Sequence, residues 1–248
     1  MSDYSYKAVN RDMGRVIHDY DLISAGDRIL VGVSGGKDSL SLLWMFAERL
    51  RRIPIDYQLV PLYVDPGFDG GFASELKQWC RRQLDLDLLV EYTDHGIVAH
   101  SDENLENPCF LCARRRRQRI FEKAEETGCS KIALGHHKDD ILETFFINMC
   151  YTGVMSTMRP AQQMFDGKFT IIRPLAYVDE DRLRRFAEAM DFPEFVNPCP
   201  SGDSSKRREI KEIVAGLTRG KKKIKNNMFR SLGHINMDYM LKPAGRLR

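Results

Sequence analysis

The chain has 248 residues, of which 43% are hydrophobic, and a formal net charge of +3. This length and composition predict one large domain with a substantial core. No apolar run approaches the roughly 20 residues that a membrane-spanning helix needs, and the N-terminal residues show no secretion segment, so we expect a cytoplasmic protein without a membrane partner. Its six cysteines are then expected to be reduced, which argues against a disulfide framework.

Helical and strand patterns alternate along the chain. Apolar residues at helical spacing, among them Val9, Met13 and Val16, predict a leading amphipathic helix. Strands are predicted at residues 28–33, 58–65, 86–92, 131–135 and 170–175, and further helices at residues 40–49, 73–83, 112–126, 139–150 and 179–190. This alternation predicts an α/β fold with a parallel twisted sheet of about five strands, helices on both faces, and ligands at the carboxyl ends of the strands.

A tight turn joins the first predicted strand to the next helix. It consists of Ser34, Gly35, Gly36, Lys37, Asp38 and Ser39. The glycines let backbone amides approach an anion, the helix N-terminus adds its dipole, and Lys37 adds a positive charge. The Walker pattern is excluded because Val31 and Asp38 occupy two of its required positions. We therefore expect a phosphate group here, since a simple turn would require neither the lysine nor the strand.

Two further candidates follow strand ends. Asp65 closes the second strand, and residues 135–140 (GHHKDD) follow the fourth. Gly135 permits close backbone approach, and His136 and His137 are candidates to contact nucleotide or nucleic acid. Asp139 and Asp140 fall where a helix would begin, so helix capping is the alternative to ligand binding. No other histidine or cysteine stands nearby at zinc-ligand spacing.

Three cysteines are predicted to lie in loops. Cys109 and Cys112 form a Cys-x-x-Cys pattern at the entrance to a helix, and Cys199 stands between prolines much later in the chain. Three thiolates are too few for a four-cysteine zinc site, whereas a four-iron cluster can be held by three and keep one iron open. A redox dithiol at the Cys-x-x-Cys pair is the alternative. The remaining cysteines are expected to fill core or surface positions: Cys80, Cys129 and Cys150.

Basic residues are clustered in blocks. One block contains Arg114, Arg115, Arg116, Arg117 and Arg119, and others lie at residues 206–208 and 219–225. Arginine suits bidentate contact with phosphate, so these blocks favour a nucleic-acid partner. A solvated helix face is the alternative for the first block, and a flexible tail is the alternative for residues 221–225.

Taken together, these motifs resemble a known family. The turn at residues 34–39 resembles the pyrophosphate loop (PP-loop) of the N-type ATP pyrophosphatases. The chain is similar to the tRNA 2-thiocytidine synthetase family over about residues 14–232. Besides the loop, the similarity rests on the Cys-x-x-Cys with its following arginines, on residues 132–144 and 172–177, and on Cys199. It departs from that family in having a single cysteine at residue 199 and an altered sequence at residues 65–69.

The resemblance implies a function, a fold and site residues. It implies a Rossmann-like PP-loop fold and a tRNA sulfurtransferase that uses ATP and Mg²⁺ to adenylate the C2 oxygen of a cytidine at position 32. A 4Fe-4S cluster bound by Cys109, Cys112 and Cys199 would then serve to replace that oxygen with sulfur. The implied catalytic residues are Lys37, Asp38 and Asp139. The implied nucleotide-binding residues are those of the loop with Asp65, Gly135 and His136. The implied tRNA-binding residues are Arg114, Arg115, Arg116, Arg117 and His137.

The predicted organisation has three parts: an N-terminal helical extension (residues 1–27), a PP-loop domain with the iron–sulfur site (28–215) and a basic C-terminal tail (216–248). The leading helix favours a homodimer, and a cysteine desulfurase is the expected type of sulfur donor. Sulfur would arrive as hydrosulfide on the open iron or as a cysteine persulfide. The alternatives are a PP-loop enzyme acting on another tRNA base, a ligase of the lysidine type, which would not need the three cysteines, and a non-enzymatic metal- or RNA-binding module.

Overall fold

The computed structural model describes residues 3–196, 198–200 and 206–241. The strands are β1 (Arg28–Gly32), β2 (Gln58–Asp65), β3 (Leu89–Tyr92), β4 (Lys131–Ala133), β5 (Ala161–Met164) and β6 (Phe169–Ile172). The helices are α1 (Asp3–Asp19), α2 (Lys37–Leu50), α3 (Ala73–Leu84), α4 (His95–Ala99), α5 (Pro108–Glu126), α6 (Lys138–Ile147), α7 (Glu180–Ala189), α8 (Lys206–Thr218) and α9 (Lys222–Ser231).

The strands form one sheet in the order β3-β2-β1-β4-β6-β5. All neighbouring pairs are parallel except β5 with β6. The α/β fold and its five parallel strands are thus confirmed. The sequence did not predict β5, because its residues AQQM lack the β-branched and aromatic side chains typical of strands.

The core lies on both faces of the sheet. On one face, α1 packs against α7, and its Val9, Met13 and Val16 are fully buried in the larger apolar cluster. On the other face, Phe121 and Ala124 of α5 pack on residues of β1, β2, β4 and β6. The sheet is therefore covered on both sides, which leaves its carboxyl edge for ligands.

Several helix bounds differ from the prediction. Helix α5 begins at Pro108, because proline is favoured in a first turn and the Asn107 side chain accepts a hydrogen bond from the Phe110 amide. Cys109 and Cys112 therefore lie on the helix, one turn apart, rather than in a loop before it. A short π-helical turn, Asn148–Thr152, follows α6. Residues 222–231 are helical, which contradicts the flexible-tail alternative there; residues 242–248 lie outside the described part. No helix in the described ranges has the length and apolar character needed to cross a membrane.

Candidate active site at the carboxyl edge of the sheet

The turn between β1 and α2 is held by its two serines. The Ser34 amide donates to Ser39 Oγ at 3.0 Å, and Ser39 Oγ in turn donates to the Gly36 carbonyl at 2.9 Å. Ser34 Oγ also lies 3.2 Å from Ser39 Oγ. These bonds fix the turn at the N-terminus of α2, where a helix favours an anion.

Two glycines permit close packing around this turn. Gly35 has φ +80°, and a Cβ there would lie 2.5 Å from the Phe72 ring. A Cβ on Gly135, which follows β4, would lie 3.1 Å from backbone atoms of Asp38 and Ser39. The strand end carrying residues 135–140 therefore lies directly against the start of α2.

Charged side chains gather beside the turn. His137 is buried, and its Nε2 lies 3.8 Å from Asp38 Oδ2 and 3.4 Å from Asp140 Oδ2. Lys37 Nζ lies 3.2 Å from Asp38 Oδ2 and 3.5 Å from Glu180 Oε1. Burial raises the pKa of Asp38, although His137 and Lys37 oppose the rise. The other Asp38 oxygen, Oδ1, is buried without a hydrogen-bond partner. This makes it a candidate ligand for a cation.

Asp139 is engaged at both carboxylate oxygens. Its Oδ2 accepts a hydrogen bond from the Glu180 amide at 2.9 Å, at the N-terminus of α7, and its Oδ1 is paired with Lys225 of α9. The capping expected as an alternative thus occurs, but on another helix. Asp140 caps its own helix by accepting from the His137 amide at 3.0 Å.

The remaining nucleotide-site candidates also lie along this edge. Asp65 is buried at the end of β2, and its Oδ1 accepts a hydrogen bond from the Gly67 amide at 2.8 Å. His136 follows β4, and its Nδ1 is buried without a partner. Burial, together with the charge of neighbouring Arg173, lowers the pKa of His136 to about 4. His136 is therefore neutral near pH 7.

The three predicted cluster ligands lie near one another. Burial raises the pKa of Cys112, Arg116 opposes this rise, and Cys199 and Cys109 reinforce it. The thiols are thus close enough to affect one another electrostatically. In the described ranges, however, no three histidine, cysteine, aspartate or glutamate side chains are arranged to hold a metal ion.

The arginine block on α5 is divided between two roles. Arg114 makes a bidentate ion pair with Glu106, at 3.0 and 3.1 Å, and Arg119 pairs with Glu91 of β3 at 2.7 Å. Arg116 and Arg117 are exposed. These two are the side chains of the block best placed to meet a polyanion. His137, by contrast, is buried among carboxylates, so its contact with tRNA stays a prediction.

Comparison with known proteins identifies the family. A model described as a PP-loop domain matches residues 5–214. A tRNA-cytidine(32) 2-sulfurtransferase from Geobacter sulfurreducens is 36% identical over 95% of this chain and 93% of its own length. One from Geotalea daltonii is 35% identical over 97% and 96%. The chain belongs to the tRNA-cytidine 2-sulfurtransferase family of PP-loop proteins. The resemblance drawn from the motifs, and with it the prediction of a sulfurtransferase, is confirmed.

Solved structures agree on the fold. The U34-tRNA thiolase NcsA from Methanococcus maripaludis, solved with its [4Fe-4S] cluster, superposes with a TM-score of 0.76 at 23% identity, covering 94% of this chain and 80% of that one. The NH3-dependent NAD synthetase from Campylobacter jejuni superposes with a TM-score of 0.52 at 13% identity, covering 93% and 92%. Both show the PP-loop fold of this chain.

Sequence analysis missed several residues of this PP-loop site. Glu180 and Lys225 reach Lys37 and Asp139 from helices far along the chain, and no local pattern identifies such contacts. Arg173 is different, because it directly follows the apolar end of β6, where side chains reach the ligand edge of a parallel sheet. Its position after the strand could have identified it.

Proposed function

We propose that this chain uses ATP to replace the C2 oxygen of a tRNA cytidine, at position 32, with sulfur. The proposal rests on two features found together in one chain of the sulfurtransferase family. One is a PP-loop held by serine hydrogen bonds beside the unpartnered Asp38 oxygen. The other is a group of three cysteines that affect one another electrostatically. The loop suits activation by ATP, and the cysteines suit sulfur delivery.

Activation of the base belongs to the loop side of the site. The C2 oxygen attacks the α-phosphorus of ATP, and pyrophosphate leaves. Residues 34–39 would hold the phosphates, and Lys37 would offset the negative charge that builds on the leaving group. Asp65, Gly135 and His136 complete the proposed nucleotide site. Asp38, whose Oδ1 has no hydrogen-bond partner, is the proposed Mg²⁺ ligand, because carboxylate oxygens are the donors that Mg²⁺ prefers. Asp139, whose oxygens are engaged by the Glu180 amide and Lys225, is the proposed substrate-side acid.

Replacement of the oxygen belongs to the cysteine side. Cys109, Cys112 and Cys199 supply the soft thiolates that a 4Fe-4S cluster requires, and Arg116 favours the thiolate form at Cys112. With three protein ligands, such a cluster would supply an open iron for sulfur delivery. A sulfur nucleophile adds to the adenylated C2 carbon, and AMP leaves with the former C2 oxygen.

The proposed partners follow from this chemistry. The arginines of α5, among them Arg116 and Arg117, would contact tRNA phosphates, and the target base would be extruded into the site. A cysteine desulfurase is the proposed type of sulfur donor, and the reaction would take place in the cytoplasm. A homodimer stays a prediction, because the apolar face of the leading helix packs within the chain's own core.

A complementation experiment tests this function. Nucleosides of tRNA from a deletion strain are analysed by mass spectrometry, with the gene restored as wild type, as Cys199→Ala and as Cys150→Ala. We expect 2-thiocytidine to disappear on deletion and to return with wild type and Cys150→Ala but not with Cys199→Ala. Loss of a thiolated uridine instead would show a different target base, and no lost thionucleoside would contradict tRNA thiolation.

A further inference from the structure

Arg173 is a buried cation without a counter-ion. It follows β6, and only 5% of the residue is exposed. Among the described residues, no carboxylate lies within ion-pair distance of its guanidinium. Burial, together with the repulsion of another cation, Arg117, lowers the pKa of Arg173 to about 10. An uncompensated buried charge costs several kcal/mol, so its retention calls for an explanation.

The hydrogen bonds of Arg173 to uncharged partners do not use all of its N–H donors. Nη1 donates to the Arg159 carbonyl at 2.6 Å, and Nη2 lies 3.3 Å from Gln162 Oε1. Nε is buried without a partner. A guanidinium has five N–H donors, and these contacts use two of them. The contacts hold residues 159–162 in place but do not neutralise the charge.

His136 presents a second unsatisfied group beside this cation. The ends of β4 and β6 are paired, with Ala133 opposite Ile172, so His136 and Arg173 leave the sheet on neighbouring strands. The Nδ1 of His136 is buried without a partner, and Arg173 is among the charges that keep its ring neutral. A neutral imidazole and a charged guanidinium can together bind an anion through hydrogen bonds and charge.

The strand order separates Arg173 from the PP-loop. The loop follows β1, and β6 lies two strands away with β4 between them. With neighbouring strands about 4.8 Å apart, the ends of β1 and β6 are roughly 10 Å from each other. An anion at Arg173 is therefore a different group from the pyrophosphate held by the loop.

We propose that Arg173 and His136 form a second phosphate-binding subsite, which receives a phosphate of the tRNA strand or the α-phosphate of the nucleotide. The proposal rests on the function proposed above, because phosphates are the oxyanions which that reaction brings to this edge. The guanidinium fork matches two phosphate oxygens, and phosphate supplies the missing negative charge.

Equilibrium binding tests the subsite without relying on turnover. The proteins are wild type, Arg173→Gln, Arg173→Lys and the control Arg184→Gln, whose arginine pairs with Asp181 and Glu188 on the exposed face of α7. The probes are AMP, measured by calorimetry, and an anticodon stem-loop RNA, measured by fluorescence anisotropy over a range of salt concentrations.

We expect Arg173→Gln to weaken one probe tenfold or more and to leave the other within twofold. If the weakened probe is the RNA, the slope of log K against log salt falls by about 0.7 to 0.9, the loss of one phosphate contact. If it is AMP, the phosphate is that of the nucleotide. Arg173→Lys retains the charge and should lose affinity only several-fold, and Arg184→Gln should bind both probes as wild type does.

Four results would overturn the subsite. The first is a folded Arg173→Gln protein that binds both probes within twofold of wild type, since Arg173 would then serve only to hold residues 159–162. The second is an Arg173→Gln protein that binds both probes with unchanged affinity but has lost its iron, since the cluster would then be the counter-ion of Arg173. The third is a wild type that binds neither probe. If Arg173→Gln does not fold, Arg173→Lys and His136→Asn are measured instead. The fourth contradicting result is that both of these variants bind the probes as wild type does. Failure of the proposed function alone would instead leave these binding differences intact while no thiolated nucleoside forms.

Discussion

Asp139 of α6 is neutralised by Lys225 of α9, a residue 86 positions further along the chain. Both side chains are largely buried, with 12% and 19% of them exposed. Burial acts to lower the pKa of Lys225, but its hydrogen bond to Asp139 and the charge of that residue outweigh burial, so the pKa is raised. Helix α9 therefore supplies the cation that pairs with Asp139.

Removing this cation should destabilise the protein. Lys225→Gln leaves the Asp139 carboxylate without its charged partner, and we expect the free energy of unfolding to fall by about 2 kcal/mol. Urea denaturation measures the change. Lys222→Gln, one turn away and exposed, should change it by less than about 0.5 kcal/mol. Equal effects of the two substitutions would show that the pair contributes nothing.

Glu143 should make stability depend on pH. Burial raises its pKa from 4.5 to about 7, although Arg207 at 3.2 Å opposes this. The folded state holds this proton more tightly than the unfolded state, so stability is full below about pH 4.5 and falls as pH rises towards 7. Glu143→Gln should therefore stabilise the protein at pH 8 by about 1 to 3 kcal/mol relative to its effect at pH 5.

Urea denaturation at both pH values tests this difference. The exposed Glu212→Gln serves as the control, and it should have the same small effect at pH 5 and pH 8. A Glu143→Gln effect that does not change between the two pH values would contradict a raised pKa.

Gly35 should tolerate no side chain. Gly35→Ala would combine a positive φ, which costs about 1 to 2 kcal/mol, with a Cβ 2.5 Å from Phe72, and overpacking adds about 1 to 3 kcal/mol. Gly70 also has a positive φ, but nothing lies within 4 Å of its Cβ position. Gly70→Ala should therefore show the backbone cost alone. Similar melting temperatures for the two variants would exclude a packing role for Phe72 beside the loop.

The cysteines should differ in their effect on iron. Anaerobically purified wild type is expected to hold about four iron and four sulfide per chain, and Cys109→Ser, Cys112→Ser and Cys199→Ser should each lose most of both. Cys150→Ser should retain them, because Cys150 is exposed and lies on the turn after α6. Stoichiometric zinc without iron in the wild type would contradict the cluster.

Much of the fold follows from the sequence because its strands are short apolar runs bounded by turns. Arg28–Gly32 and Gln58–Asp65 lie where their residues predict them. The predicted start of α5 lies four residues after the observed one at Pro108, because Asn107 and Pro108 resemble loop residues although they form a cap and a first turn. The polar edge strand Ala161–Met164 is formed by pairing with β6, which local sequence does not encode.

The site is predictable only where its residues are local. Local sequence predicts residues 34–39 as a tight turn and Gly135 as the end of a strand, and the structure places them in contact. The pairing of Asp139 with Lys225, and the approach of Glu180 to Lys37, depend on how α7 and α9 pack, which is a tertiary property. The proximity of Cys199 to Cys112 also follows from no local spacing, and it was expected from the chemistry of thiolate ligands and from the family resemblance.

Asp38 should be required for ATP cleavage. Its Oδ1 is buried without a partner, and we propose that Mg²⁺ takes that place. Asp38→Asn should lower the rate of AMP formation at least 100-fold, which corresponds to about 2.7 kcal/mol of transition-state stabilisation. The exposed Asp69→Asn should leave it unchanged. Wild-type AMP formation by a folded Asp38→Asn protein would remove Asp38 from the metal site.

The most direct test of the account is the product balance of the reconstituted reaction. Anaerobically purified protein is mixed with unmodified tRNA, ATP, Mg²⁺ and sulfide, and AMP, pyrophosphate and 2-thiocytidine are quantified over time. The account predicts one AMP and one pyrophosphate for each 2-thiocytidine formed, with no thiolation when ATP is omitted. Thiolation without ATP, or with ADP and phosphate as the nucleotide products, would contradict it.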